Sequence, residues 1–204
     1  MQQSLFLPAA INFDLPNAEL NYYPDFIENH QQHYQQLLGE LNWRQDTISM
    51  YGKKLLIPRL SAWYGDSAAA YSYSGIRLEP LAWAEPLLDL KSRLEHELQQ
   101  PFNSVLANYY RDGQDGVSWH SDDEAELGTN PLIASLSFGA TRRFSLRHKT
   151  LVTDQSSLSL DLEAGSLLLM AGETQAFWQH QVAKTARKVG GRINLTFRQI
   201  MSSA

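Results

Sequence analysis

The sequence predicts a mainly β fold with flanking helices, an α+β arrangement, and two observations carry that reading. Helical periodicity is confined to the first half of the chain, and from Phe102 onward it gives way to short strand patterns. Many short strands within roughly a hundred residues suggest a sandwich or jelly roll, with the helices buttressing one sheet.

The elements follow in order. Pro24 stands at a plausible helix start, and Phe26, Ile27, Tyr34, Leu37, Leu38 and Leu41 recur at helical spacing, which predicts a helix over 24–41. A second helix is predicted over 85–99, with Pro86 in its first turn, Leu87, Leu90, Leu94 and Leu98 on one face, and Pro101 as its stop. Segments 132–138, 142–149, 157–162, 166–170 and 192–199 read as strands, separated by Gly139, Gly165, Gly172 and the pair Gly190-Gly191. No repeat, low-complexity tract or Pro/Gly/Ser-rich linker interrupts the chain, so its 204 residues are expected to form one domain. That domain reads as an N-terminal extension with a helix (1–50), a middle part (51–101) and a β core (102–200).

Composition excludes several classes. With 43% hydrophobic and 19% charged residues the chain is of ordinary soluble type, and no stretch approaches the ~20 apolar residues of a membrane helix. Residues 1–13 lack a Lys or Arg before their apolar patch, so no signal peptide is expected. The absence of cysteine excludes disulfides, thiolate ligands and a Cys nucleophile, and fits a cytoplasmic protein. A net charge of −5 argues against a bulk nucleic-acid binder, but charge is unevenly spread. Arg142, Arg143, Arg147, His148 and Lys149 form one basic run, and Lys184, Arg187, Lys188 and Arg192 another. Asp122, Asp123, Glu124 and Glu126 form an acidic knot.

His120 and Asp122 make an H-x-D pair. In extended chain, side chains two apart face the same way, so an imidazole and a carboxylate can reach one ion. His180, beyond the apolar run 166–170, is the best third ligand. Two histidines and one carboxylate hold Fe(II) and leave positions open for cosubstrate and oxygen. The same three ligands with a water also describe a catalytic zinc site, and a surface pair with a structural histidine satisfies the bare pattern.

The last strand adds a second constraint. Arg192, Asn194, Thr196 and Arg198 fall on one face, and Ile193, Leu195 and Phe197 on the other. Two inward arginines are costly unless they meet anions, and a dicarboxylate such as 2-oxoglutarate would supply them. An edge strand with one wet face is the alternative. Asn108 and Tyr110, two apart and upstream of His120, could add hydrogen bonds to the same cosubstrate.

The segments FNSVLANYYRDGQDGVSWHSDDE, PLIASLSFGATRRF and RINLTFR resemble the AlkB family of nucleic-acid dealkylases, most like the branch with the two animal DNA-repair homologues. The likeness continues upstream through PRLSAWYGD and YSYSG, covering roughly residues 50–200. It implies a double-stranded β-helix core, with iron on His120, Asp122 and His180. It assigns 2-oxoglutarate to Asn108, Tyr110, Arg192, Asn194, Thr196 and Arg198, and Arg198 is expected to anchor the distal carboxylate. Oxygen is the other cosubstrate. The implied reaction hydroxylates the N-methyl carbon of 1-methyladenine or 3-methylcytosine, and the hemiaminal collapses to formaldehyde and the repaired base.

The middle part, 51–101, is then the substrate-recognition part. Tyr73 matches the position that stacks on a flipped base, with Tyr71 and Ser74 beside it. Asp123 and Glu124 match an acidic pair that contacts the damaged, cationic base. Tyr51 aligns with an aromatic finger that fills the gap left in a duplex. Arg59 and the run Arg142 to Lys149 are candidates for phosphate contact. The partner is expected to be nucleic acid, DNA rather than RNA, with no membrane, and the protein a monomer. The competing readings are a related dioxygenase acting on methylated RNA or protein side chains, and a non-catalytic nucleic-acid-binding module.

Overall fold

Strands whose side chains are apolar on both faces need cover on both sides, and that requirement organises this molecule. A computed structural model of the chain describes residues 9–50, 53–69, 71–73 and 76–201. The described strands run in chain order β1 (Ile11–Phe13), β2 (Glu19–Tyr23), β3 (Thr47–Met50), β4 (Lys53–Leu56), β5 (Leu60–Gly65), β6 (Tyr71–Tyr73), β7 (Ile76–Leu78), β8 (Ser104–Tyr110), β9 (Val117–His120), β10 (Ile133–Gly139), β11 (Arg142–His148), β12 (Ser157–Leu162), β13 (Leu167–Ala171), β14 (Trp178–Val182) and β15 (Arg192–Arg198). The helices are α1 (His30–Glu40), α2 (Glu85–Leu98) and the short α3 (Thr174–Phe177).

A seven-stranded sheet has the order β1-β2-β13-β10-β15-β8-β5, and a four-stranded sheet the order β12-β11-β14-β9. All the pairings are antiparallel. This is the jelly-roll core expected, and the five core strands start and stop within a residue or so of their predicted bounds.

Two apolar clusters explain why every residue of β15 is buried. Ile193, Leu195 and Phe197 join Leu37 of α1, Leu90 and Leu94 of α2, and Leu136 of β10 on the helix-covered face of the larger sheet. On the opposite face, Ile133, Leu168 and Met170 meet Phe144, Leu146 and Val182 of the smaller sheet. Leu136 has no exposed surface, so its truncation to alanine would cost roughly 2–5 kcal/mol. The alternate residues of β15 therefore face into the space between the sheets rather than water.

Two expectations need correcting. The first helix begins at His30, not Pro24, because Asp25 is left-handed with φ 55° and breaks any helix started before it. Phe26 and Ile27 still reach the core, from a turn in which the Ile27 amide donates to the Gly165 carbonyl at 2.8 Å. Gly165 has φ 81°, and a Cβ there would lie 2.5 Å from the Ile27 carbonyl oxygen, so this contact requires glycine. The second correction concerns the sheet. It does not begin at residue 102, since β1 and β2 extend it through β13 and β5 closes its other edge. Strand β13, LLLMA, is apolar on both faces, as an interior strand is, and β2 pairs the edge that β10 leaves open. Helix α2 matches its prediction, ending at Gln99 with φ 52°.

Candidate metal and cosubstrate site

Pairing of β14 with β9 sets His180 directly opposite His120, and the two ring centroids are 4.2 Å apart. Asp122 lies two residues past His120, on the turn that leaves β9. One ligand atom from each of the three lies within 4.8 Å of the others, so a single ion can meet all three. His180 and Asp122 are buried, 6% and 4% exposed, while His120 is partly open toward solvent. His120 Nδ1 lies 2.8 Å from the Ser118 carbonyl, which can only accept, so Nδ1 carries the hydrogen and Nε2 is left for an ion.

The electrostatics suit a cation. Burial pushes the His180 imidazole down to about 3, helped by His120 and Arg198 and opposed by Asp122. It is therefore neutral at pH 7, as a ligand must be. Burial opposes ionisation of Asp122, but the charge of Arg198 and, where they are protonated, those of the two histidines outweigh it and hold the carboxyl at about 2. Arg198 Nη2 donates to Asp122 Oδ1 at 2.9 Å, both side chains being 5% exposed.

One cavity takes in the three ligands together with Asn108, Tyr110, Arg192, Asn194, Thr196 and Arg198. Arg192 is 1% exposed and donates Nη2 to Ser137 Oγ at 2.9 Å, but its Nε and Nη1 meet no hydrogen-bond partner among the described residues. Burial pushes this guanidinium down to about 10, with the Tyr110 hydroxyl resisting and Arg142 adding to the push. Unmet buried N–H groups of this kind are what a carboxylate would satisfy. Asn194 is held by Ser135 Oγ at 2.8 Å and the Leu136 carbonyl at 3.0 Å, and Thr196 donates to Asn194 Oδ1 at 3.2 Å. The donor set fits Fe(II) and a dicarboxylate.

The two arginines of β15 stand at opposite ends of the strand. Arg198 is engaged by Asp122 at the ligand cluster, whereas Arg192 lies at the other end of β15, opposite Gly139. Arg192 therefore lies toward the end of the cavity away from the ligands.

The other named residues divide. Arg59 is 8% exposed and turned into the cavity wall, donating Nε to Asn108 Oδ1 at 2.7 Å, rather than lying on an outer phosphate-facing surface. Arg142, 3% exposed, donates to the carbonyls of Asp112, Asp115 and Ala183 at 3.0, 2.9 and 2.8 Å. His148 is buried, and its Nδ1 accepts from the Leu151 amide at 3.0 Å. Neither is available to a phosphate, because strand alternation turns them inward. Arg143, Arg147 and Lys149 face out, Arg143 in an ion pair with Asp161 and Arg147 over the Trp119 ring at 4.3 Å. Asp123 is exposed and bonded by Lys149 at 3.0 Å, and Glu124 has a buried Oε2 with no partner among the described residues. Tyr71 and Tyr73 lie on β6 of a small hairpin, Tyr73 opposite Ile76. Tyr51 and Ser74 lie outside the described residues.

Sequence reasoning passed over Ser135, Ser137 and Gln175. The two serines were legible, standing two apart in the otherwise apolar β10 and facing the Arg-Asn-Thr-Arg side of β15. Gln175 carried no signal. It is 2% exposed, and its Oε1 accepts the Asp122 amide at 2.9 Å.

Comparison with known proteins identifies the family. The mouse protein "Alpha-ketoglutarate-dependent dioxygenase alkB homolog 3" is 42% identical over 187 residues, 87% of this chain and 65% of its own length. The human protein of the same name gives the same identity and coverage. The bovine "DNA oxidative demethylase ALKBH2" is 40% identical over 159 residues, 76% of this chain and 57% of its own. The chain thus spans less than two thirds of the length of these relatives. The solved structure of OsALKBH1 superposes with a TM-score of 0.61 at 15% identity, covering 94% of this chain and all of that one, which supports the fold. The family model described as 2OG-Fe(II) oxygenase superfamily matches residues 19–198, and with the fold and ligand cluster in agreement, the chain belongs to that superfamily.

Proposed function

We propose that this protein is an Fe(II)- and 2-oxoglutarate-dependent dioxygenase that removes N-methyl groups from 1-methyladenine and 3-methylcytosine in DNA, reversing alkylation damage directly. The observation that carries this reading is the joining, in one cavity, of the His120, Asp122 and His180 cluster with the unmet N–H groups of Arg192. Its support in sequence is the likeness to relatives named as alkB homologue and DNA oxidative demethylase.

In this reading His120, Asp122 and His180 hold Fe(II). Arg192 takes the distal carboxylate of 2-oxoglutarate, and Arg198 orients Asp122 and the cosubstrate's near end. Asn108, Tyr110, Asn194 and Thr196 complete the polar wall. Bound iron, with 2-oxoglutarate and O2, supplies oxidation of the methyl carbon, and succinate, CO2 and formaldehyde leave. The protein positions the methyl and keeps water out. Tyr73 stacks on the flipped base, with Tyr71 and Ser74 beside it, and Asp123 and Glu124 face its positive charge. Tyr51 fills the gap in a duplex, and the outward-facing Arg147 is offered to phosphates. The protein acts as a single-domain monomer on nucleic acid.

The test incubates single- and double-stranded 3-methylcytosine oligonucleotides, in DNA and RNA, with Fe(II), 2-oxoglutarate and oxygen, measuring succinate and repaired base together. Repair of DNA with matching succinate is the expected result. Repair with zinc and without 2-oxoglutarate overturns the mechanism, and repair of RNA alone overturns the substrate. Tyr73→Ala should cost about 5- to 150-fold on both strand types, one stacking contact being worth about 1–3 kcal/mol. Tyr51→Ala should cost a similar factor on duplex only.

A further inference from the structure

The carboxylate of Asp122 sits on a turn, not on a strand, so something other than a sheet ladder has to fix its direction. Arg198 holds the carboxylate itself at 2.9 Å, and three further contacts bear on the turn that carries it. The Asp122 amide donates to Gln175 Oε1 at 2.9 Å, and the Ser121 hydroxyl donates to the Trp178 carbonyl at 2.8 Å. Lys149 donates at 3.0 Å both to Asp123 Oδ2 and to the Gln175 carbonyl. Gln175 therefore touches the turn twice, directly through its amide and indirectly through Lys149.

Gln175 is itself tightly placed. It is 2% exposed on α3, a single turn inserted between β13 and β14, and its Nε2 meets the thioether of Met170 at 3.6 Å. Met170 lines the metal and cosubstrate cavity. A primary amide buried at this depth beside an apolar sulfur is costly unless its oxygen has a strong donor, and the Asp122 amide is that donor. The bond serves both partners, because without it the Asp122 N–H is also left buried.

We propose that Gln175 is a positioning residue that sets the direction of the Asp122 carboxylate by holding its backbone amide, with Lys149 locking α3 and the acidic turn together. This rests on the metal assignment made above. Partners of this outer kind, which orient a ligand without touching the ion, typically change metal affinity about 10- to 100-fold. Loss of the amide lets the turn rotate, and the carboxylate no longer meets the two histidines in one geometry.

The experiment titrates apoprotein with Co(II), read by its visible absorption bands, beside thermal unfolding of the apoprotein. Gln175→Met keeps volume and removes the acceptor, and it is expected to weaken Co(II) binding about tenfold and alter the band pattern. Gln175→Glu keeps an acceptor for the Asp122 amide and should recover the wild-type band pattern, its affinity shifted by the added buried charge. If Gln175→Met does not fold, Gln175→Asn, whose oxygen falls a methylene short, is expected to show the same loss. Wild-type affinity and spectrum in Gln175→Met, or in Gln175→Asn where that variant is the one read, overturn the role of Gln175 and leave the metal assignment standing. Wild-type protein that binds no Co(II), or binds it as well after Asp122→Asn, overturns the metal assignment and the role of Gln175 with it.

Discussion

Arg142 on β11 and Arg192 on β15 are both buried arginines beside the ring of Tyr110, 5.7 and 5.4 Å from it, and they do opposite work. Arg142 spends its guanidinium on three backbone carbonyls, tying the 111–116 loop and Ala183 to the smaller sheet. Arg192 gives one N–H to Ser137 and keeps two buried and unmet among the described residues. A buried arginine with its N–H groups satisfied by main chain is structural, while one left short is built for a ligand. Burial and residue type are the same in both, and only the hydrogen-bond count separates them.

That contrast can be broken by substitution. Arg142→Met should be the most damaging change, orphaning one buried and two part-buried carbonyls at a cost of roughly 2–4 kcal/mol, read by chemical denaturation of apoprotein. Arg192→Met should leave apoprotein stability unchanged or raised, since it removes a half-satisfied buried charge. Its effect should fall on cosubstrate binding, with KM for 2-oxoglutarate up about 10- to 150-fold, the worth of hydrogen bonds to a charged group. Equal stability losses in the two variants would erase the distinction.

Smaller effects sharpen it. Arg198→Lys keeps the charge beside Asp122 and loses the fork, so KM for 2-oxoglutarate should rise about fivefold, less than for Arg192→Met. The reverse ranking would return the distal carboxylate to Arg198. Asp115 belongs to the structural side. Burial disfavours its charge, but hydrogen bonds from Arg111 outweigh that and hold its carboxyl below the ordinary 3.8. A depressed carboxylate contributes stability above its unfolded value and loses it as pH falls through the folded one. Asp115→Asn should therefore cost about 1 kcal/mol or less at pH 7, with the difference from wild type closing below pH ~3.8 in thermal melts.

The legible parts of the site share one property, a short period. His120 with Asp122, and Arg192 with Asn194, Thr196 and Arg198, could be read because residues two apart in extended chain share a face. The partner of each face could not. Strand β15 is covered on both sides, so its polar face is not a wet edge, and that depends on a smaller sheet folded over it. The same limit explains the basic run at 142–149. Alternation puts Arg143, Arg147 and Lys149 outside and Arg142 and His148 inside, but which side is which depends on the sheet behind them.

What the sequence by itself determined is the candidate ligand cluster, the second helix and the five core strands, since these reside in residue types and local spacing. His180 could be named from sequence but not placed, because its position opposite His120 comes from the β14–β9 pairing across some sixty residues of chain. Tertiary structure alone decided that Arg192, not Arg198, stands away from the ligand cluster, and that Arg59 turns into the cavity. It alone brought Gln175 to the Asp122 amide. The reason is the same in each case. A side chain's periodicity states which way it leaves its own strand, whereas its hydrogen-bond partners are set by whatever distant segment packs against that strand.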